Sequence, residues 1–181
     1  MGNRSRVQAR KSVRRQPMSS SLSSPLAAEG GPAPRGPAGW GRATLFLAMS
    51  LNTKEAQDVI ANAHAKASEL GIRVTVAVVD EGGFLIALTR MDGAPPLSPQ
   101  IAEAKAVGAA MLYRDGGALA ELAKDRPGFF SAADRLVRVP IIPGLGSVLV
   151  KRDGNVLGAV GVSGGRPEQD LECAEAGISS A

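Results

Sequence analysis

The stretch SVLVKRDGNVLGAVGV, residues 147–162, leaves the chain little local freedom. Two apolar runs flank Asp153-Gly154, a dipeptide that accepts the positive φ angles of a tight two-residue hairpin turn. Strands joined this way are antiparallel. A second hairpin precedes it. Residues 72–79 are apolar at nearly every position, as expected of a strand covered on both faces. After a turn over Asp80–Gly83, FLIALTR forms its partner.

Helices fill the intervals. Ala56, Val59, Ile60, Ala63, Ala67 and Leu70 recur at helical spacing, so residues 53–70 predict an amphipathic helix. Asn52 and Glu55 have the spacing of a capping box, and Gly71 supplies a left-handed stop. Ser98 as cap and Pro99 at the first helical position open a second helix, QIAEAKAVGAAMLY. Its Ala and Gly content lets another backbone come close. Residues 115–135 predict a short helix around Leu119–Lys124 and then an irregular segment. The prolines of VRVPIIPGLG exclude a central strand there. A last helix starts at Pro167, with Glu168 and Asp170 at the positive end of its dipole and Leu171, Ala174 and Ile178 as its buried face. The order predicts an α+β domain, one antiparallel sheet with helices packed on it.

Charge divides the chain. Residues 1–48 carry a net +7 and residues 49–181 a net −3, which together give the overall +4. The basic character therefore belongs to the N-terminal part, and it argues against nucleic acid as a partner of the domain. That Ser/Pro/Gly/Arg-rich part shows no apolar period and predicts a disordered extension. Three readings stay open for it: an extension upstream of a natural start at Met49, an organelle transit peptide, or a twin-arginine signal at Arg14-Arg15. No run reaches the roughly 18 apolar residues of a membrane span. The expectation is a protein without a membrane span, cytoplasmic unless the extension directs export or organelle targeting. Cys173 is the only cysteine, which excludes an internal disulfide and a thiolate metal cluster within one chain. Aromatic residues make up only 3% of the chain. A core of Ala, Val and Gly gains less per side chain than one of Phe and Leu, so further burial between subunits is expected.

Three separated blocks, VAVVDEGGFLIALTRMDGA, IAEAKAVGAA and DGNVLGAVGVSGGRPEQDLECAEAG, resemble the signature blocks of the GlcG/HbpS-like family. That family also includes the C-terminal domain of PduO-type corrinoid adenosyltransferases. The resemblance runs from about residue 51 to the C-terminus. It implies a profilin-like sandwich, a homo-oligomer that is often an octamer, and haem as a ligand, with haem degradation or iron and redox sensing in some members. One departure is PGLGSVLV, which lacks the proline of a Gly-Gly-x-Pro-like stretch that members carry before the second hairpin.

Each candidate site residue has a structural and a functional reading. His64, the only histidine, flanks the apolar stripe of the first helix; it is either a packed residue with one hydrogen bond or the iron ligand that the resemblance implies. A single histidine excludes a bis-histidine site within one chain. Arg90 and Asp92, where the second strand leaves the sheet, either pin that loop as a pair or border a pocket in which Arg90 meets a ligand carboxylate. Lys105, a lone cation on an Ala/Val/Gly helix, either extends to solvent or serves the site. Gly164, Gly165 and Arg166, between a strand and a helix start, form either a tight turn or an anion seat built from backbone amides. No dinucleotide or phosphate-loop pattern is present. Met91 is read as core filling, Tyr113 as an interface residue and Cys173 as a partly covered structural residue. Gly158 and Gly161 point to close approach by a backbone or a flat ligand. With no nucleophile-elbow motif, hydrolase chemistry is set aside. The leading expectation is a haem-binding protein. The alternatives are a metal-free enzyme or accessory protein for a small carboxylate or cofactor, and a structural oligomer without a ligand.

Overall fold

Hairpin turns and helix caps set the frame seen in the computed structural model, which describes residues 50–179. The elements run α1 (Thr53–Glu69), β1 (Thr75–Asp80), β2 (Leu85–Arg90), α2 (Ser98–Leu112), α3 (Gly116–Asp125), α4 (Pro127–Ala133), β3 (Ser147–Arg152), β4 (Asn155–Ser163) and α5 (Pro167–Ile178). The four strands form one sheet in the order β2-β1-β4-β3, and every neighbouring pair is antiparallel. This is the expected α+β, profilin-like sandwich. The basic extension of residues 1–48 lies outside the described residues.

Strand alternation sorts the core into two layers. Val76, Val78, Val148, Val150, Val160 and Val162 point to the face covered by α1 and α5. Val79, Leu149 and Ala159 point to the opposite face, under α2. The central strands β1 and β4 are buried along most of their length, whereas β2 is a half-exposed edge. At the β3–β4 turn, Asp153 and Gly154 take φ angles of 50° and 81°. The capping box at Asn52 forms, and Glu55 also accepts from Arg152 at 2.6 Å, fastening the start of α1 to the second hairpin.

Small residues set the distance between α2 and the sheet. A Cβ at Gly161 would collide with the Ala102 carbonyl and reach to 2.7 Å from the Ala106 nitrogen. The close approach predicted from the glycines is therefore the backbone of α2 at Gly161 and the Val79 carbonyl of β1 at Gly158.

Several local expectations need correction. Ser98 is the first helical residue rather than the cap. Its hydroxyl bonds the buried Thr75 hydroxyl at 2.6 Å and the Pro95 carbonyl at 2.7 Å, so it ties α2 to β1 and leaves the helix end uncapped by a side chain. The segment after α3 is a second short helix, α4, because Pro127 supplies a favourable first helical residue. The buried face of α5 is Asp170, Cys173, Ala174 and Gly177, with Leu171 and Ile178 only partly covered. Cys173 is wholly buried, and burial pushes its thiol pKa up to about 11. It is an inert core side chain.

Candidate functional site

One end of the sheet gathers most of the sequence-predicted residues. Thr75, the first residue of β1, pairs with Arg90 on one side and with Ser163 on the other. The RMDGA corner and the SGGR turn therefore leave the sheet at the same end, on either side of the start of β1. Between them lies Arg73, to which the sequence reading gave no role. Gly164, at φ +145°, passes so close that a Cβ there would collide with the Arg73 carbonyl. On the other side, a Cβ at Gly93 would stand 3.9 Å from Arg73 Cγ. A signal existed in the sequence: an arginine in the link before a buried strand, where an apolar residue would also fit.

Beneath this end lies a buried ion pair. Lys105 Nζ donates to Asp170 Oδ2 and to the Val162 carbonyl, each at 2.9 Å. Asp170 Oδ1 accepts the Gly165 amide at 2.9 Å. Lys105 and Asp170 are 8% and 3% exposed, so these bonds join α2, β4 and α5 out of reach of water. The lone cation on the Ala-rich helix therefore neither reaches solvent nor lies open to a ligand. Its charge is matched by Asp170, which the sequence reading had placed at the helix dipole.

The same bonds revise the amide seat. Gly165 N–H is taken by Asp170, and Arg166 N–H donates to Gln169 Oε1 at 3.1 Å. Two amides of the expected seat are thus taken by side chains of α5. Gly164 is small because it crosses the Arg73 backbone, and what the turn leaves exposed is the Arg166 side chain.

At the other corner, Arg90 and Asp92 are both exposed, and no ion pair joins them among the described residues. Arg90 instead donates Nε, at 3.0 Å, and Nη2 to the Ala94 carbonyl, closing the turn upon its own backbone. Met91 is partly buried against the core, as expected, and Tyr113 is exposed beyond the end of α2.

His64 stands apart from this group. It is half-buried on α1, and its ring donates to the backbone of Thr89 on β2. Burial lowers its pKa and that hydrogen bond only partly restores it, so the ring is neutral near pH 7. Nε2 is enclosed and has no hydrogen-bond partner. Thr89 pairs with Val76, which faces α1 and α5, whereas Arg90 is the next residue along β2 and points to the other face. Within one chain, the imidazole and the arginine corner flank the same edge strand from opposite sides.

A groove of about 330 Å³ runs between α2 and residues 138–142, lined by Leu97, Ile101, Ala104, Val139, Pro140 and Ile142 among others. None of the sequence-predicted site residues borders it. Among the described residues no helix is long and apolar enough to cross a membrane, and no group of three or more His, Cys, Asp or Glu side chains is arranged to hold a metal ion.

The comparisons with known proteins agree with this architecture. The family model for haem degrading proteins of the HbpS-like type matches residues 51–179. GlcG of Escherichia coli K12 is 36% identical over 115 residues, which are 62% of this chain and 81% of GlcG. Among solved structures, a PduOC complex with heme is similar at a TM-score of 0.65 and 26% identity, over 73% of this chain and 95% of that one. A double mutant of Streptomyces reticuli HbpS is similar at a TM-score of 0.65 and 25% identity, over 88% of this chain and 97% of that one. The fold, the three sequence blocks and the matched span agree: the chain belongs to the HbpS-like family.

Proposed function

We propose that this chain binds haem through His64, with Arg90 facing a propionate and Arg166 adding positive charge at the same end of the sheet, and that it acts in haem or iron handling or in redox sensing. The observation that carries this reading is the unpartnered Nε2 of the only histidine. A buried polar atom without a partner costs free energy of the order of 1–3 kcal/mol. Here the atom is the lone-pair nitrogen of a neutral ring whose orientation is set by Thr89. That is the donor chemistry of an iron-ligating imidazole whose other ring nitrogen is held by a hydrogen bond. The donor fits the group. Because Nε2 is enclosed within the single chain, ligation requires the ring to turn or the α1–β2 seam to open at the half-exposed edge strand.

Haem, when bound, supplies a redox-active iron. The chain supplies orientation and charge. Thr89 keeps the ring nitrogen facing it protonated, which leaves Nε2 as the donor. Arg90 and Arg166 are exposed and make no ion pair among the described residues, so their charge is open to carboxylates. Lys105 is withdrawn from that list by its bond to Asp170. Asp92 is exposed and adds a negative charge at the rim, so it does not itself bind an anion. The family match and the likeness to a heme-bound PduOC structure support the reading.

The open arginine corner also supports a second reading, a metal-free site for a small carboxylate. A homo-oligomer is proposed as well, since Phe84, Leu97 and Leu136 are 63%, 60% and 87% exposed. Titration with haemin decides between the two ligand readings. A stoichiometric Soret shift that His64→Ala abolishes is the expected result. A shift that persists unchanged in the variant removes His64 from the site, and no shift in the wild-type protein ends the haem reading.

A further inference from the structure

Arg73 is exposed, and its one hydrogen bond, Nη1 to the neighbouring Ile72 carbonyl at 3.2 Å, leaves its charge uncompensated. It lies two residues before Thr75, whose partner is Arg90. The ladder continues past the end of β2, because Met91 N–H donates to the Val74 carbonyl at 3.0 Å. Arg73 is therefore the diagonal neighbour of Arg90 on the face towards α2, about 7–8 Å away. The stem of Arg73 passes Gly93 at van der Waals distance, a Cβ there standing 3.9 Å from Arg73 Cγ. No ion pair joins a carboxylate to either arginine among the described residues, although the continued register sets Asp92 opposite Arg73. Arg90 gives two donors to the Ala94 carbonyl, which fixes the plane of its guanidinium and keeps its remaining N–H groups outward.

Two like charges on neighbouring strand ends repel, and a doubly anionic ligand relieves that repulsion. Each planar fork matches a carboxylate through two parallel hydrogen bonds. We propose that Arg73 and Arg90 form a two-point seat for a ligand bearing two carboxylates. The inference rests on the haem reading only for the identity of that ligand: in haem the two groups are the propionates, and otherwise the seat takes a free dicarboxylate.

The test uses the full-length protein with haemin, with haemin dimethyl ester, which has no free carboxylates, and with glutarate. The wild-type protein is expected to bind haemin about tenfold more tightly than the ester, the effect of one to two charge-assisted hydrogen bonds. Arg73→Gln and Arg90→Gln are each expected to remove that preference, bringing the ratio of haemin to ester affinity to about one. Equal affinity of the wild-type protein for the two porphyrins, or an Arg73→Gln variant that keeps the preference, overturns the seat. If neither porphyrin binds, the haem reading fails and glutarate judges the seat separately. A thermal shift with glutarate that Arg73→Gln abolishes upholds it, and no shift overturns it.

Discussion

Two kinds of cation occupy the same end of this sheet. Lys105 is buried, matched by Asp170 and bound to the Val162 carbonyl, so its geometry is fixed from three sides. Arg73 and Arg90 stand a few ångströms further out, exposed and without carboxylate partners among the described residues. In the sequence, Lys105 was the conspicuous cation, alone on an apolar helix, and Arg73 was the inconspicuous one. The structure reverses their standing. A charge taken out of water must be neutralised by the protein itself, because burial costs several kcal/mol per ion. A charge left at the surface carries no such obligation and stays open to a ligand. Hence the buried cation is architectural, and the exposed pair is where an anion is expected.

The comparison is sharpest if its buried half is broken. Lys105→Met leaves Asp170 charged and unpaired, which is expected to cost about 3–5 kcal/mol in urea unfolding. Lys105→Met combined with Asp170→Leu removes both charges and should recover most of that loss. A double variant as unstable as the single one would show that the three-way link, rather than charge balance, holds α2, β4 and α5 together.

A smaller effect is expected where the helix touches the sheet. Gly161→Ala places a methyl group against the Ala102 carbonyl, forcing α2 outward at a cost of about 1–3 kcal/mol. Since Lys105 rides on α2, the shift should also loosen its bond to Asp170, which faster exchange of the Gly165 amide would report. Wild-type exchange at Gly165 in the variant would mean that the pair adjusts independently of the helix.

The smallest expected effect belongs to the opposite face. Burial lowers the His64 pKa, so just below the ordinary value of about 6.5 the unfolded chain binds more protons than the folded one. The stability contributed by the neutral ring is intact above that value and is lost as pH falls through it towards the lower folded pKa. Urea midpoints at about pH 7.5 and about pH 5 should diverge more in the wild-type protein than in His64→Gln. Equal divergence in the two would mean that the ring is hydrated in the folded state.

Legibility in the sequence followed the range of the interaction. Asp153-Gly154 announced its hairpin, and Asn52 with Glu55 announced the start of α1, because turn and cap chemistry act over two to four residues. Ser98 was misplaced as a cap because its actual partner, Thr75, lies 23 residues away. Cys173 was read as partly covered because the stripe of α5 was centred on Leu171 and Ile178, one position around the helix from the face that packs against α1. The corner residues Arg90 and Arg166 were found by their place beside glycines at strand ends. Arg73 was missed because its one mark in the sequence, an arginine in the link before a buried strand, is faint; the crossing of Gly164 and the approach of Gly93 make it the centre of that end.

What the sequence determined by itself is most of the elements, the antiparallel pairing within each hairpin and some limits on chemistry. One histidine and one cysteine exclude a bis-histidine metal site and a thiolate cluster within one chain. The tertiary structure decided which charges are spent and which remain. Whether a lysine finds an aspartate 65 residues away, or an arginine finds none, depends on how helices and strands from distant parts of the chain meet around a shared core. Desolvation then enforces the outcome, since a buried charge cannot persist unpaired whereas an exposed one can.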